Sequence, residues 1–191
     1  MTIERAREQD VTDASAQRQS SLKPGGIGTG VAFDWALTVQ IVTDGVCFLL
    51  GVGPGSSVVG QPLPARLALA LAAVVAAALV FTQGEALRRG RRIARIIQIV
   101  ANSLLVIVGL VNLPGLISSL QNRQFGSLVV ELVLLIVSPL IVWLLTRKRT
   151  RDWFATTTSA EARARHSGRW LFWMVLYAVI GGLAVAFANY Y

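Results

Sequence analysis

The chain has 191 residues, 54% of them hydrophobic, with a mean hydropathy of +0.59 and a formal net charge of +8. Its apolar residues fall in blocks of about 18–22, which excludes a soluble domain of ordinary surface composition and points to helices that span a membrane. The arginines sit at the ends of those blocks, as cytoplasmic anchors do, and this argues against nucleic-acid binding; the single cysteine, Cys47, excludes an intramolecular disulfide and a cysteine metal cluster.

Residues 1–30 are rich in Ser, Gln, Asp and Arg and turn glycine-rich at Lys23-Pro24-Gly25-Gly26. Such a segment buries too little apolar area to offset its ordering entropy, so we expect a disordered cytoplasmic tail. A surface helix over residues 3–19 has too thin an apolar face to be favoured. No apolar block precedes residue 31, so no cleavable signal peptide is expected and the first span would itself target the chain. The run Gly25-Gly26-Ile27-Gly28-Thr29-Gly30 looks like a phosphate loop, but no strand precedes it, and it reads as a flexible linker.

The second expected unit, residues 31–191, is a transmembrane helical domain. Span 1 covers about residues 32–52 and is the most polar, carrying Asp34, Gln40, Thr43 and Asp44 before a Gly/Pro loop. If it does not cross, four spans remain. Span 2, about 66–83, is alanine-rich, with Ala68, Ala72 and Ala76 at i, i+4 and i+8. Small residues so spaced let helices approach closely, although an alanine-favouring codon composition would produce the same stripe.

The stretch 88–120 orders the rest. It opens with Arg88, Arg89, Arg91, Arg92 and Arg95 and then turns apolar, supplying a span (about 93–113) together with its orientation. Pro114-Gly115 ends or kinks it. Span 4 covers about 128–145, with a kink expected at Ser138-Pro139, and closes in a second basic anchor of Arg147, Lys148, Arg149 and Arg151. Thr158-Ser159-Ala160-Glu161 fits a capping box, which predicts a basic interfacial helix over about 159–169 running into span 5, about 170–188. Span 5 carries a second small-residue ladder, Ala178, Gly182 and Ala186. The basic counts favour a cytoplasmic N-terminus and an outer C-terminus, where Asn189-Tyr190-Tyr191 would form an aromatic anchor.

Asp44 is the leading candidate for chemistry. Near mid-membrane its charge costs on the order of 2.5–3.5 kcal/mol, less if it is neutral, paired or facing a wet cavity. Gln40 and Cys47 flank it on one helix face, so it reads either as a proton or cation site or as a hydrogen-bonding group in a helix contact. Gln98 and Asn102, at i and i+4 in span 3, read chiefly as interhelical hydrogen-bonding amides. Glu131 lies just inside the outer edge of span 4, with Arg66 or Arg123 as its expected partner. The lone histidine, His166, stands among arginines and reads as a headgroup contact; Trp143, Trp153, Trp170 and Trp173 read as an interfacial aromatic belt.

No nucleotide-binding, hydrolase or metal-ligand motif is present, and no histidine falls inside a span to ligate haem. We therefore expect no cofactor, no metal and no catalytic site. The expected fold is an all-α, polytopic bundle of five membrane helices in a cell membrane of bacterial inner-membrane type. The expected function is non-enzymatic: an accessory or structural subunit packing against a larger membrane partner or itself, with anionic lipid along its basic face. The alternative is a small transporter or channel in which Asp44 and Gln40 face Gln98 and Asn102.

Overall fold

The structure is a computed structural model that describes residues 26–52, 60–121 and 125–190. Residues 1–25 of the tail expected over 1–30, most of the first loop and Arg123 lie outside the described residues. Among the described residues nine α-helices follow in order: α1 (Gly26–Leu50), α2 (Leu63–Arg88), α3 (Arg92–Val111), α4 (Leu113–Gln121), α5 (Phe125–Leu132), α6 (Ser138–Thr146), α7 (Lys148–Thr156), α8 (Ser159–Arg165) and α9 (Arg169–Tyr190), with a π turn, Val133–Val137, joining α5 to α6. No strand occurs among the described residues. Among the described residues, five segments are long and apolar enough to cross a membrane: α1, α2, α3, Leu128–Thr146 and Arg169–Ala188.

The linker reading gives way over residues 26–30, because Gly26 is already helical and Gly26 and Gly30 are buried. Glycine disfavours helix by about 1 kcal/mol per residue relative to alanine, so packing must offset that cost. The contacts show how. A Cβ on Gly26 would stand 2.6 Å from the Leu144 Cβ, and one on Gly30 would stand 2.8 Å from Leu87. Between them Ile27 and Val31 are fully buried. The bare glycine face lets α1 seat between the ends of α2 and α6. α1 is the packing hub of the bundle: it lies along α2 and α9 and touches α6.

Helix α2 ends in a Schellman turn. The Gly90 N–H donates to the Leu87 carbonyl and the Arg91 N–H to the Ala86 carbonyl, with Gly90 at φ +72. α3 starts at once, so the arginine cluster is the hairpin between two long helices. Pro114 stops α3 but sits in the first turn of α4, where a missing N–H costs nothing. At Ser138-Pro139 the expected distortion takes the form of the π turn: the Ser138 N–H reaches the Val133 carbonyl five residues back, which accommodates the proline ring.

One helix is added to the expected set and one expected helix ends early. The connector after span 4 folds as α7, whose Thr150, Trp153 and Phe154 fall at i, i+3 and i+4 and are buried together. The capping box forms as read, with Thr158 and Glu161 satisfying each other's N–H groups. The helix it starts does not continue into span 5; it ends at Arg165, and Gly168, at φ +61, reverses the chain before α9.

Candidate functional site

Three helices bring one polar residue each to the same depth. Asp34 lies eight residues into α1, Gln98 six residues into α3, and Gln83 five residues before the end of α2. At about 1.5 Å per residue all three stand roughly 8–12 Å from the end of the bundle that holds the α2–α3 turn. The Gln98 Nε2 donates to the Asp34 Oδ1 at 2.6 Å. The Gln83 Nε2 donates to the Gln98 Oε1 at 3.2 Å and to the Ala94 carbonyl at 2.7 Å. One turn further along α3, the Asn102 Nδ2 donates to the Gln98 carbonyl at 2.9 Å. Asp34, Gln98 and Asn102 are 4%, 2% and 1% exposed. Gly84 makes room for this, since a Cβ there would stand 3.0 Å from both Asp34 and Trp35.

The relay cross-links α1, α2 and α3 through Gln98, whose amide donates to Asp34 of α1 and accepts from the half-buried Gln83 of α2. Among the described residues, the Asp34 Oδ2 and the Asn102 Oδ1 are buried acceptors with no hydrogen-bond partner. The site thus has acceptor capacity beyond what its own amides use.

Of the residues singled out from sequence, Gln98 and Asn102 enter this cluster and the others do not. Asp44 is half-buried and, ten residues beyond Asp34, lies about 15 Å further along α1. The structure does not bring Asp44 to Gln98. Gln40 lines a cavity of about 290 Å³ between α1, α3, α9 and the segment around the π turn, whose other walls, among them Phe33, Leu105, Leu134 and Val185, are apolar. Glu131 is half-buried; its Oε2 has no hydrogen-bond partner among the described residues, and Arg66 lies against Gly51 rather than against it. No three His, Cys, Asp or Glu side chains among the described residues gather as a metal cage would need.

Sequence reasoning missed Asp34 and Gln83. Beginning span 1 near residue 32 placed Asp34 at the water boundary, and Gln83 fell at the nominal end of span 2. Counting depth from the basic hairpin would have aligned both with Gln98.

The basic hairpin forms the second feature. Arg95 donates through Nε to the Leu145 carbonyl at 2.8 Å, and Arg92 to the Phe154 and Ala155 carbonyls at 3.2 and 2.7 Å. Arg88 donates to the His166 carbonyl at 2.9 Å. Each guanidinium therefore serves the carbonyl-rich end of a different helix, α6, α7 and α8, where orphan acceptors and the helix dipole favour a cation. Glu85 holds Arg88 and Arg89 in ion pairs at 2.6 and 2.7 Å. Arg147 stacks on Trp143, 3.5 Å from the ring centroid. Arg91, Lys148, Arg149 and Arg151 are exposed. Of the residues read from sequence as headgroup or cytoplasmic anchors, Arg88, Arg92 and Arg95 donate to the chain's own carbonyls.

His166, read from sequence as a headgroup contact, is not placed as one. It is fully buried, packs against Trp153 and Trp170, and turns Nδ1 to the Arg88 carbonyl at 2.9 Å. Trp153 leaves the expected aromatic belt for the core, beneath Gly90. Of the small-residue ladders, Ala178, Gly182 and Ala186 are buried, with Gly182 directly against Ala36 and Val39 of α1. On α2 the contact with α1 runs instead through Ala73 and Gly84; Ala68 and Ala72 are exposed and Ala76 is half-buried.

The chain matches no family model, no curated protein and no solved structure.

Proposed function

We propose that this chain is a multi-pass membrane protein of non-enzymatic function, a structural or accessory subunit of a cell membrane of bacterial inner-membrane type. Its basic hairpin and the α7–α8 segment face the cytoplasm, and α9 ends on the outer side. The observation that carries the reading is how the buried polar groups are used. Gln83, Gln98 and Asp34 bond one another across three helices, and Arg88, Arg92 and Arg95 cap three helix ends. Cross-links of this kind hold a bundle in one shape, typically at about 0.6–2 kcal/mol each inside a membrane. The cavity beside Gln40 has apolar walls, which suits a lipid chain better than an ion. The outward α2 face bearing Ala68 and Ala72 is the surface we assign to a partner subunit or a second copy.

The test is extraction of the full chain in mild detergent, followed by mass analysis of what copurifies. A stoichiometric larger complex supports the subunit reading, and a lone monomer overturns it. A second reading, a small transporter or channel, is favoured by one observation: the enclosed Asp34 carboxylate retains an oxygen without a hydrogen-bond partner among the described residues. That reading moves the polar site from Asp44 to Asp34. It requires Asp34→Asn to abolish flux in vesicles while leaving the purified protein monodisperse.

A further inference from the structure

The hairpin that joins α2 and α3 does not hold the two helices together along their length. α2 packs chiefly on α1, and α3 on α6. The two diverge from the Gly90 turn and leave a groove of about 740 Å³ between them. Its outward-facing wall is apolar, with Leu79 66% exposed, Ile93 72% and Ile97 49%, while Thr82 and Gln83 of α2 add polar groups to the lining. Its head, at the turn, is basic, formed by Arg91 and Arg92.

Charge bookkeeping at that head leaves a net cation. Glu85 is committed to Arg88 and Arg89, and Arg92 is engaged by carbonyls of α7. Arg91 is exposed and enters no ion pair among the described residues. Arg91 is also the N-cap residue of α3 and supplies no side-chain cap, so the positive end of the helix dipole adds to the same mouth. Ile97 follows Arg92 by about a turn and a half on the same helix, so an anionic head at Arg91 places an attached chain over the Ile93 and Ile97 wall.

We propose that the α2–α3 groove seats one anionic diacyl phospholipid, its phosphate at Arg91 and an acyl chain along Leu79, Ile93 and Ile97. The complementarity is double: a fixed cation meets the headgroup, and an exposed apolar wall meets the chain. The inference rests on the membrane reading above and adds to it a particular lipid at a particular place.

The test uses the full-length protein in mild detergent with an equimolar mixture of phosphatidylglycerol and phosphatidylcholine, and native mass spectrometry reads the lipid retained. One retained phosphatidylglycerol, favoured over phosphatidylcholine, is the expected result. Arg91→Gln lowers its retention about fivefold, the effect of one basic residue near a membrane surface. Ile97→Trp, which fills the wall, lowers retention of both lipids at this site, and Arg163→Gln on exposed α8 changes nothing. Equal retention of the two lipids by the wild type, or equal loss in Arg91→Gln and Arg163→Gln, overturns the proposal. Displacement of the lipid by glycerol phosphate alone also overturns it, because the headgroup would then suffice without the groove. A chain that stays soluble without detergent and retains no lipid would instead refute the membrane reading.

Discussion

Arg88 and His166 hold each other by their main chains. The Arg88 guanidinium donates to the His166 carbonyl, and the His166 Nδ1 donates to the Arg88 carbonyl, both at 2.9 Å. Seventy-eight positions apart in sequence, the two residues close the α2–α3 hairpin onto the turn that follows α8. The Nδ1 contact is to an acceptor, so Nδ1 carries the ring proton in this arrangement. With His166 fully buried between Trp153 and Trp170, the exchange also fixes an aromatic cluster beneath Gly90.

Removing the imidazole should therefore cost stability in two ways. His166→Ala opens a void between two indoles and leaves the Arg88 carbonyl short of a donor, together worth about 2–4 kcal/mol. Unfolding in detergent, followed by tryptophan emission, measures the loss. An unchanged midpoint would show that the exchange contributes nothing.

The Asp34–Gln98 bond distinguishes charge from hydrogen bonding. Asp34→Asn keeps an acceptor for the Gln98 amide, so stability should fall by less than about 0.5 kcal/mol. Asp34→Leu leaves that amide buried without its acceptor, at about 1–3 kcal/mol. The double variant Asp34→Leu/Gln98→Leu should recover part of the loss, because both partners are then apolar. A double-mutant cycle with no coupling would contradict the link at 2.6 Å.

Much of this architecture is legible before any coordinates. Span-length apolar blocks need only counting, and the capping box at Thr158 and Glu161 is local chemistry that tertiary packing did not override. Three features are hidden for physical reasons. Propensity argues against a helix at residues 26–30, and only the close approach of Leu144 and Leu87 makes one. The resulting error of more than one turn in where α1 begins hid Asp34, since depth decides whether a carboxylate is interfacial or enclosed. The positive-inside pattern counts arginines at a helix end, but it carries no information on whether each guanidinium meets lipid or, like Arg92, a carbonyl of α7.

Gly182→Leu should separate packing within the chain from assembly with a partner. A Cβ at 182 would overlap the Ala36 carbonyl, and the Val39 Cβ would stand 2.7 Å away, so α1 and α9 must part. Overpacking of this kind costs about 1–3 kcal/mol and should lower the thermal midpoint of the purified protein. Ala72→Leu, on the exposed α2 face, should leave that midpoint unchanged and reduce copurification of the partner. If Ala72→Leu instead destabilises the purified chain, that face is in use within the fold.

The capping box gives α8 a dependence on acid. Hydrogen bonds from the Thr158 backbone N–H, then from its hydroxyl, hold the Glu161 carboxyl below the ordinary glutamate range. A group whose folded value is depressed contributes stability that is complete above the unfolded value, about 4.3 for glutamate, and is lost as pH falls through the folded one. Amide exchange across Ser159–Arg165 should therefore be constant from pH 7 to about 5, once corrected for intrinsic rates, and accelerate in more acidic solution. Glu161→Gln should remove the acid step while keeping part of the cap, because its amide oxygen can still accept from Thr158. Persistence of the step in Glu161→Gln would assign it to another group.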